Sequence, residues 1–195
     1  MPRQPDPDLE ERILNAAHTL WRRGGEKALT MRAVSRAAGT NTPALYRRFK
    51  DREDLIRGLL RRTANRIRQD FESQQTIEEM AEAYVDSGLR LPHDYELFYT
   101  HARALNAPRG KGRLKPIRES RPNFALVESR LAERLGGAPE DHTQLALAMW
   151  SMLHGVTMLL LCQAIPPGHE EELRSSCRSA VKALLDEAAK FPERK

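Results

Sequence analysis

The chain has 195 residues, 40% hydrophobic and 30% charged, with two cysteines and a formal net charge of +5. That length suits one or two small domains with a proper core, and two cysteines exclude a disulfide-stapled scaffold. Charge divides unevenly: residues 1–68 carry 16 Lys/Arg against 8 Asp/Glu, net +8, while residues 69–195 carry 16 against 19, net −3. A basic segment at one end points to a polyanionic partner for that end alone.

In chain order, residues 1–7 are Pro-rich and predict a disordered tail; they contain no apolar run of the signal-peptide type. Asp8-x-x-Glu11 has capping-box spacing and opens a first helix that Gly24-Gly25 should end. From Met31, the positions Val34, Ala37 and Ala38 make the apolar stripe of a short helix, which Gly39 can close in a left-handed conformation. Asn41 or Thr42 can cap the next helix, and Pro43 is tolerated in its first turn. That helix turns Leu45 and Phe49 inward and Tyr46, Arg47 and Arg48 outward. Two short helices joined by a tight turn over about 31–50, the second polar at its start, have the geometry that enters a DNA major groove. Asp51 can cap a longer helix from Arg52 to about Gln74.

Further helices are predicted over about 77–91, ended by Pro92, and over 94–105, 124–135, 141–165 and 170–190. Residues 108–122 read as irregular and basic, with Arg109, Lys111, Arg113, Lys115, Arg118 and Arg121 opposed only by Glu119. Such runs are usually solvated; capture of an anionic group is the alternative for this one. No segment reads as a strand, so the fold class is all-α. The run Leu145–Ile165 is about as long as a membrane span, but it holds Trp150, Ser151, His154, Gly155 and Gln163. It reads as a buried helix of a soluble bundle, without a membrane partner and with a cytoplasmic location.

The ordered set Ile13-x-x-Ala16-Ala17-x-x-Leu20-Trp21, Gly24-Gly25, Thr30-Met31-Arg32, Ala38-Gly39, Leu45-Tyr46-x-x-Phe49 and Arg52-Glu53-x-Leu55 resembles the TetR/AcrR family of bacterial transcriptional regulators, over about residues 9–68. It departs from the family pattern at Ser35, Thr40, Pro43 and Arg52, where alanine, a small apolar residue, glycine and lysine are commoner. The resemblance implies a three-helix helix-turn-helix DNA-binding domain over 8–68, followed over 69–195 by a helical effector-binding and dimerisation domain. Trp150-x-x-x-His154-Gly155 is similar to the WHG type of C-terminal domain in that family.

The expected DNA contacts are Thr30, Arg32, Asn41, Thr42, Pro43, Tyr46, Arg47, Lys50 and Arg52. Arg47 is the candidate for a guanine, because its fork matches two acceptors on one base edge. Thr30, Arg32, Tyr46, Lys50 and Arg52 are candidates for phosphates, which set register. For a ligand, Tyr84, Phe98, His101, Arg103, Phe124, Met149 and Met152 are the candidates, with ordinary core packing as the bland alternative for each.

Small residues at Ala148, Ser151, Gly155 and Cys162 form one stripe on the penultimate helix, and Leu173, Cys177, Ala180 and Leu184 form an apolar stripe on the last. The resemblance reads these as a homodimer interface, so that two recognition helices meet one operator. No HxxxH pair, cysteine cluster or nucleophile motif argues for a metal, a cofactor or an enzyme. The expectation is a sequence-specific regulator of transcription, a repressor released from double-stranded operator DNA by a small, mostly apolar effector. A helical carrier protein, or a DNA-binding regulator governed by a protein partner, are the competing classes.

Overall fold

The computed structural model describes residues 8–106 and 116–190, with backbone alone over 102–106. The chain forms ten α-helices among the described residues: α1 Leu9–Ala28, α2 Met31–Ala37, α3 Thr42–Arg48, α4 Arg52–Glu72, α5 Ile77–Arg90, α6 Pro92–Asn106, α7 Ile117–Ser120, α8 Pro122–Leu135, α9 Thr143–Leu161 and α10 Glu170–Lys190. A 3-10 turn, Pro139–His142, precedes α9. The helices gather into two compact units, Met1–Thr63 with Glu96–Ala107, and Ala64–Tyr95 with Pro108–Lys195. Both α4 and α6 therefore contribute residues to both units.

The first unit is built on the inward stripe of α1. Ile13, Leu14, Ala17 and Trp21 are buried and join Leu29, Val34, Leu45, Phe49 and the Leu55–Leu60 face of α4. Each large apolar side chain so buried contributes about 1.5–3 kcal/mol. Gly58 is required by this packing, since a Cβ there would meet Phe49 Cε1 at 2.8 Å and Leu14 Cδ2 at 3.1 Å. From α6, Leu97 is wholly buried in the same core, and the His101 ring lies edge-on to Trp21 at 5.5 Å.

The second unit packs α5, α8, α9 and α10 around Met80, Val85, Leu131, Met149, Leu153, Val181 and Leu185. Gly88 lets α5 approach α9, where an added Cβ would stand 2.5 Å from Thr157 Cγ2. Polar ties fix the surrounding helices. Arg174 of α10 pairs with Glu82 at 3.1 Å and Asp86 at 2.6 Å, both on α5. Asp70 of α4 accepts from Ser87 and from Arg90 of α5, each at 2.7 Å. Arg66 pairs at 3.1 Å with the buried Asp94 at the start of α6.

Local detail departs from the sequence expectations in four places. Gly24 and Gly25 are non-helical, Gly25 at φ +58°, so the first helix breaks where expected; a further turn then carries it to Ala28. Asp8 makes no side-chain cap hydrogen bond, because its backbone (φ −92°, ψ 0°) is already helical rather than extended. Pro92 begins α6 as well as ending α5, the first-turn position a proline tolerates. Residues 117–120 form the short helix α7 inside the stretch read as irregular. The tail 1–7 and the basic positions Arg109, Lys111, Arg113 and Lys115 lie outside the described residues.

Candidate nucleic-acid interface

Two side-chain caps set the frame of the helix-turn-helix. Thr30 Oγ1 accepts from the Ala33 amide at 3.2 Å and opens α2; Asn41 Oδ1 accepts from the Ala44 amide at 2.8 Å and opens α3. Each cap is worth about 1 kcal/mol. Between them Gly39, at φ +64°, ends α2, and its neighbour Thr40 donates its amide to the Ser35 carbonyl at 2.9 Å. Ser35 is buried, and its hydroxyl lies 3.3 Å from Thr42 Oγ1 while donating to the Arg32 carbonyl at 3.1 Å. This pairing explains the departure from alanine at position 35: the serine ties α2 to the first residue of α3.

Phe49 and Leu45 anchor the inner side of α3, leaving Asn41, Pro43, Tyr46, Arg47 and Arg48 exposed; Tyr46 is 48% exposed, unusual for so large a ring. Thr30, Arg32 and Lys50 are also exposed. Thr42 is half-buried and engaged with Ser35. Asp51 Oδ1 caps α4 by accepting from the Asp54 amide at 2.7 Å, and Asp54 accepts in return from the Lys50 amide at 3.1 Å. Burial alone would raise the Asp54 pKa, but the Lys50 amide and the Arg57 guanidinium outweigh it and hold the carboxyl below its ordinary 3.8.

Arg52, expected at a phosphate, is engaged within its own unit. Its Nε donates to the Leu29 carbonyl at 2.9 Å, and its Nη2 donates to the Glu26 carbonyl at 3.2 Å and to Glu26 Oε1 at 3.1 Å. The guanidinium is spent on the turn between α1 and α2, where a lysine could not reach all three oxygens.

The expected ligand residues divide between the units. Phe124 and Met149 are buried, and Tyr84 and Met152 half-buried, in the second unit. Phe98 and His101 do not join them: that part of α6 packs in the first unit, with His101 against Trp21. The side chain of Arg103 lies outside the described residues.

Sequence reasoning missed the polar thread through the second unit. Trp150 Nε1 donates to Tyr84 Oη at 3.3 Å, Tyr84 Oη and Tyr95 Oη are 3.3 Å apart, and Tyr95 Oη lies 2.5 Å from His154 Nδ1. The four residues come from α5, α6 and α9, and no pattern along one helix could have grouped them. Burial lowers the His154 pKa below the ordinary 6.5.

Of the expected interface residues, Ala148, Ser151 and Cys162 are exposed, while Gly155, Leu173, Ala180 and Leu184 are half-buried. Cys177 is buried: it points inward with Val181 and Leu185, on the face of α10 that closes the core of the second unit. Among the described residues, no three His, Cys, Asp or Glu gather as a metal site would require.

A capped second helix held over a buried core, with Tyr46 and Arg47 outward, defines a DNA-binding helix-turn-helix regulator. The family profile described as "Bacterial regulatory proteins, tetR family" matches residues 13–59, and "Tetracyclin repressor-like, C-terminal domain" matches residues 77–184. The chain belongs to the TetR family of transcriptional regulators, which are not enzymes. Its C-terminal match is to the tetracyclin repressor-like domain, where the Trp150/His154/Gly155 pattern had pointed to a WHG type.

Among solved structures, the regulatory protein SCO4313 is 23% identical (TM-score 0.68, 92% of this chain and 96% of that one). The multidrug binding protein EbrR, complexed with imidazole, is 20% identical (0.64, 94% and 93%). The transcriptional regulator SCO7222, a TetR from Streptomyces coelicolor, is 14% identical (0.66, 94% and 99%). At these identities the likeness is one of fold. No curated protein matches the chain in sequence.

Proposed function

We propose that this DNA-binding regulator is a cytoplasmic, homodimeric repressor that a small, mostly apolar molecule releases from its operator. The observation that carries the reading is the thread Trp150–Tyr84–Tyr95–His154, bordered by Phe124, whose ring lies 6.0 Å from that of Trp150. Apolar walls with a few convergent polar groups are what a small-molecule site needs. EbrR, a relative in fold, is a multidrug binding protein.

Tyr95 is the member of the thread on α6, and Leu97, two residues on, is wholly buried in the core of the DNA-reading unit. Likewise α4 buries Leu55, Leu59 and Leu60 in one core and Phe71 in the other. A ligand that rearranges Tyr84, Tyr95 or His154 therefore acts on a helix whose continuation supports the helix-turn-helix. It shifts the equilibrium by its differential affinity for the two states; a tenfold loss of operator affinity needs about 1.4 kcal/mol.

Dimerisation is supported by the face of α9 that its own subunit leaves uncovered. Ala148, Ser151, Met158, Leu159 and Cys162 are exposed there, and a Cβ added at Gly155 meets nothing within 4 Å. This helix is long and apolar enough to span a membrane, yet Ala146, Met149, Leu153 and Val156 pack in the second core. A second copy covering the other face accounts for the remaining apolar surface.

The test is selection of duplexes from a random pool by the purified protein, followed by release with a hydrophobic compound panel. Selected sites should hold an inverted repeat with half-sites about one helical turn, roughly 34–36 Å, apart. Met152→Trp should block release while leaving DNA binding unchanged. Release that is indifferent to this substitution would place the effector elsewhere.

A further inference from the structure

Glu128 is 1% exposed, on the inward face of α8 with Phe124 and Leu131. Its surroundings satisfy it poorly. Thr143 Oγ1 donates to Oε1 at 2.5 Å, but Oε2 accepts no hydrogen bond. Its ion-pair partner, Arg118, brings Nε only to 3.4 Å from Oε2, where a good charge-assisted bond would be about 2.7–2.9 Å. The guanidinium is shared with the exposed Glu140.

The two partners are also held very unequally. The carboxylate sits on a 14-residue helix in the core, whereas Arg118 belongs to the four-residue α7, which buries none of its residues. A buried carboxylate with one hydroxyl bond and one loose cation is costly, so a cation that fits it better is rewarded. Phe124 lies one turn earlier on the same face of α8, and its ring is tilted against that of Trp150.

We propose that Glu128 is the anchoring carboxylate for an effector with one positive charge on a flat apolar body, and that Arg118 occupies the cation's place until that effector arrives. The inference rests on the reading of the chain as an effector-released regulator, and it narrows the effector to organic cations. A neutral molecule that displaced Arg118 would leave Glu128 buried and unpaired, so the site rejects neutral look-alikes through the residue it already holds. The displaced guanidinium keeps Glu140 and solvent as partners.

The test uses the full chain with benzamidine and its uncharged counterpart benzamide, binding being read by ligand-detected magnetic resonance and by thermal shift. Wild type should bind benzamidine and not benzamide. Arg118→Ala, which vacates the cation's place, should bind benzamidine at least tenfold more tightly and gain thermal stability from it. Glu128→Gln should lose that binding, and so should the double variant Arg118→Ala/Glu128→Gln, in which no buried charge is left to destabilise the fold. Equal binding of the two compounds, or no gain in Arg118→Ala, overturns the proposal.

A parallel release assay on the selected duplex separates the Glu128 assignment from the regulator reading beneath it. Release by neutral compounds as readily as by cationic ones removes the Glu128 assignment and leaves the regulator reading intact. Release by no compound of either kind removes the effector reading itself.

Discussion

Arg52 offers a sharp test, because two roles for it predict opposite results. In the structure its Nε bonds the carbonyl of the wholly buried Leu29, and its Nη2 bonds Glu26 twice. A hydrogen bond from a charged donor contributes about 1.5–3 kcal/mol net, whereas the exposed pairing with Glu26 adds about 0–1 kcal/mol. Arg52→Ala should therefore destabilise the chain by about 2 kcal/mol, and Arg52→Lys by about 1 kcal/mol, since an ammonium can reach one oxygen but not all three. Urea unfolding measures this directly. Salt dependence of operator binding measures the rival role: removing one cation that neutralises a phosphate flattens the slope of log K against log salt by about 0.9. The clamp predicts an unchanged slope in both variants. A flattened slope in Arg52→Ala with unaltered stability would refute the clamp and restore Arg52 to the phosphate backbone.

Arg47→Ala should cost about 1–3 kcal/mol on the selected operator and relax one base position, read by affinity across single-base variants of the site. Gly155→Glu should give a folded chain, because a side chain there meets open space, but one that sediments as a monomer and holds its operator weakly. Acid should loosen the second unit through His154. Burial lowers its folded pKa, so the unfolded chain binds its proton first, and this contribution to stability is present above the ordinary 6.5 and declines as pH falls below it. His154→Gln should flatten that part of the stability-versus-pH curve, the other histidines being common to both proteins; an unchanged curve would show that His154 does not titrate in this way.

The sequence by itself determined the elements of the DNA-reading unit, because their signals are local. Thr30 and Asn41 cap the helices they immediately precede, Gly39 closes α2 at positive φ, and the four-residue spacing of Leu45 and Phe49 turns one side of α3 inward. The caps and the helical period act over three or four residues, so they can be read along the chain. Tertiary structure alone decided which residues meet across the sequence. Arg52 turns back 23 residues to Leu29, a clamp hidden in a position that reads as a surface cation. Phe98 and His101 are aromatic candidates like Tyr84, yet α6 runs through both units and only packing assigns its later half to the core around Trp21. Cys177 shares an apolar stripe with Ala180 and Leu184, but rotation about α10 turns it inward. Helical periodicity fixes a stripe and not the partner that covers it, and the thread from Trp150 to His154 exists only once α5, α6 and α9 are packed together.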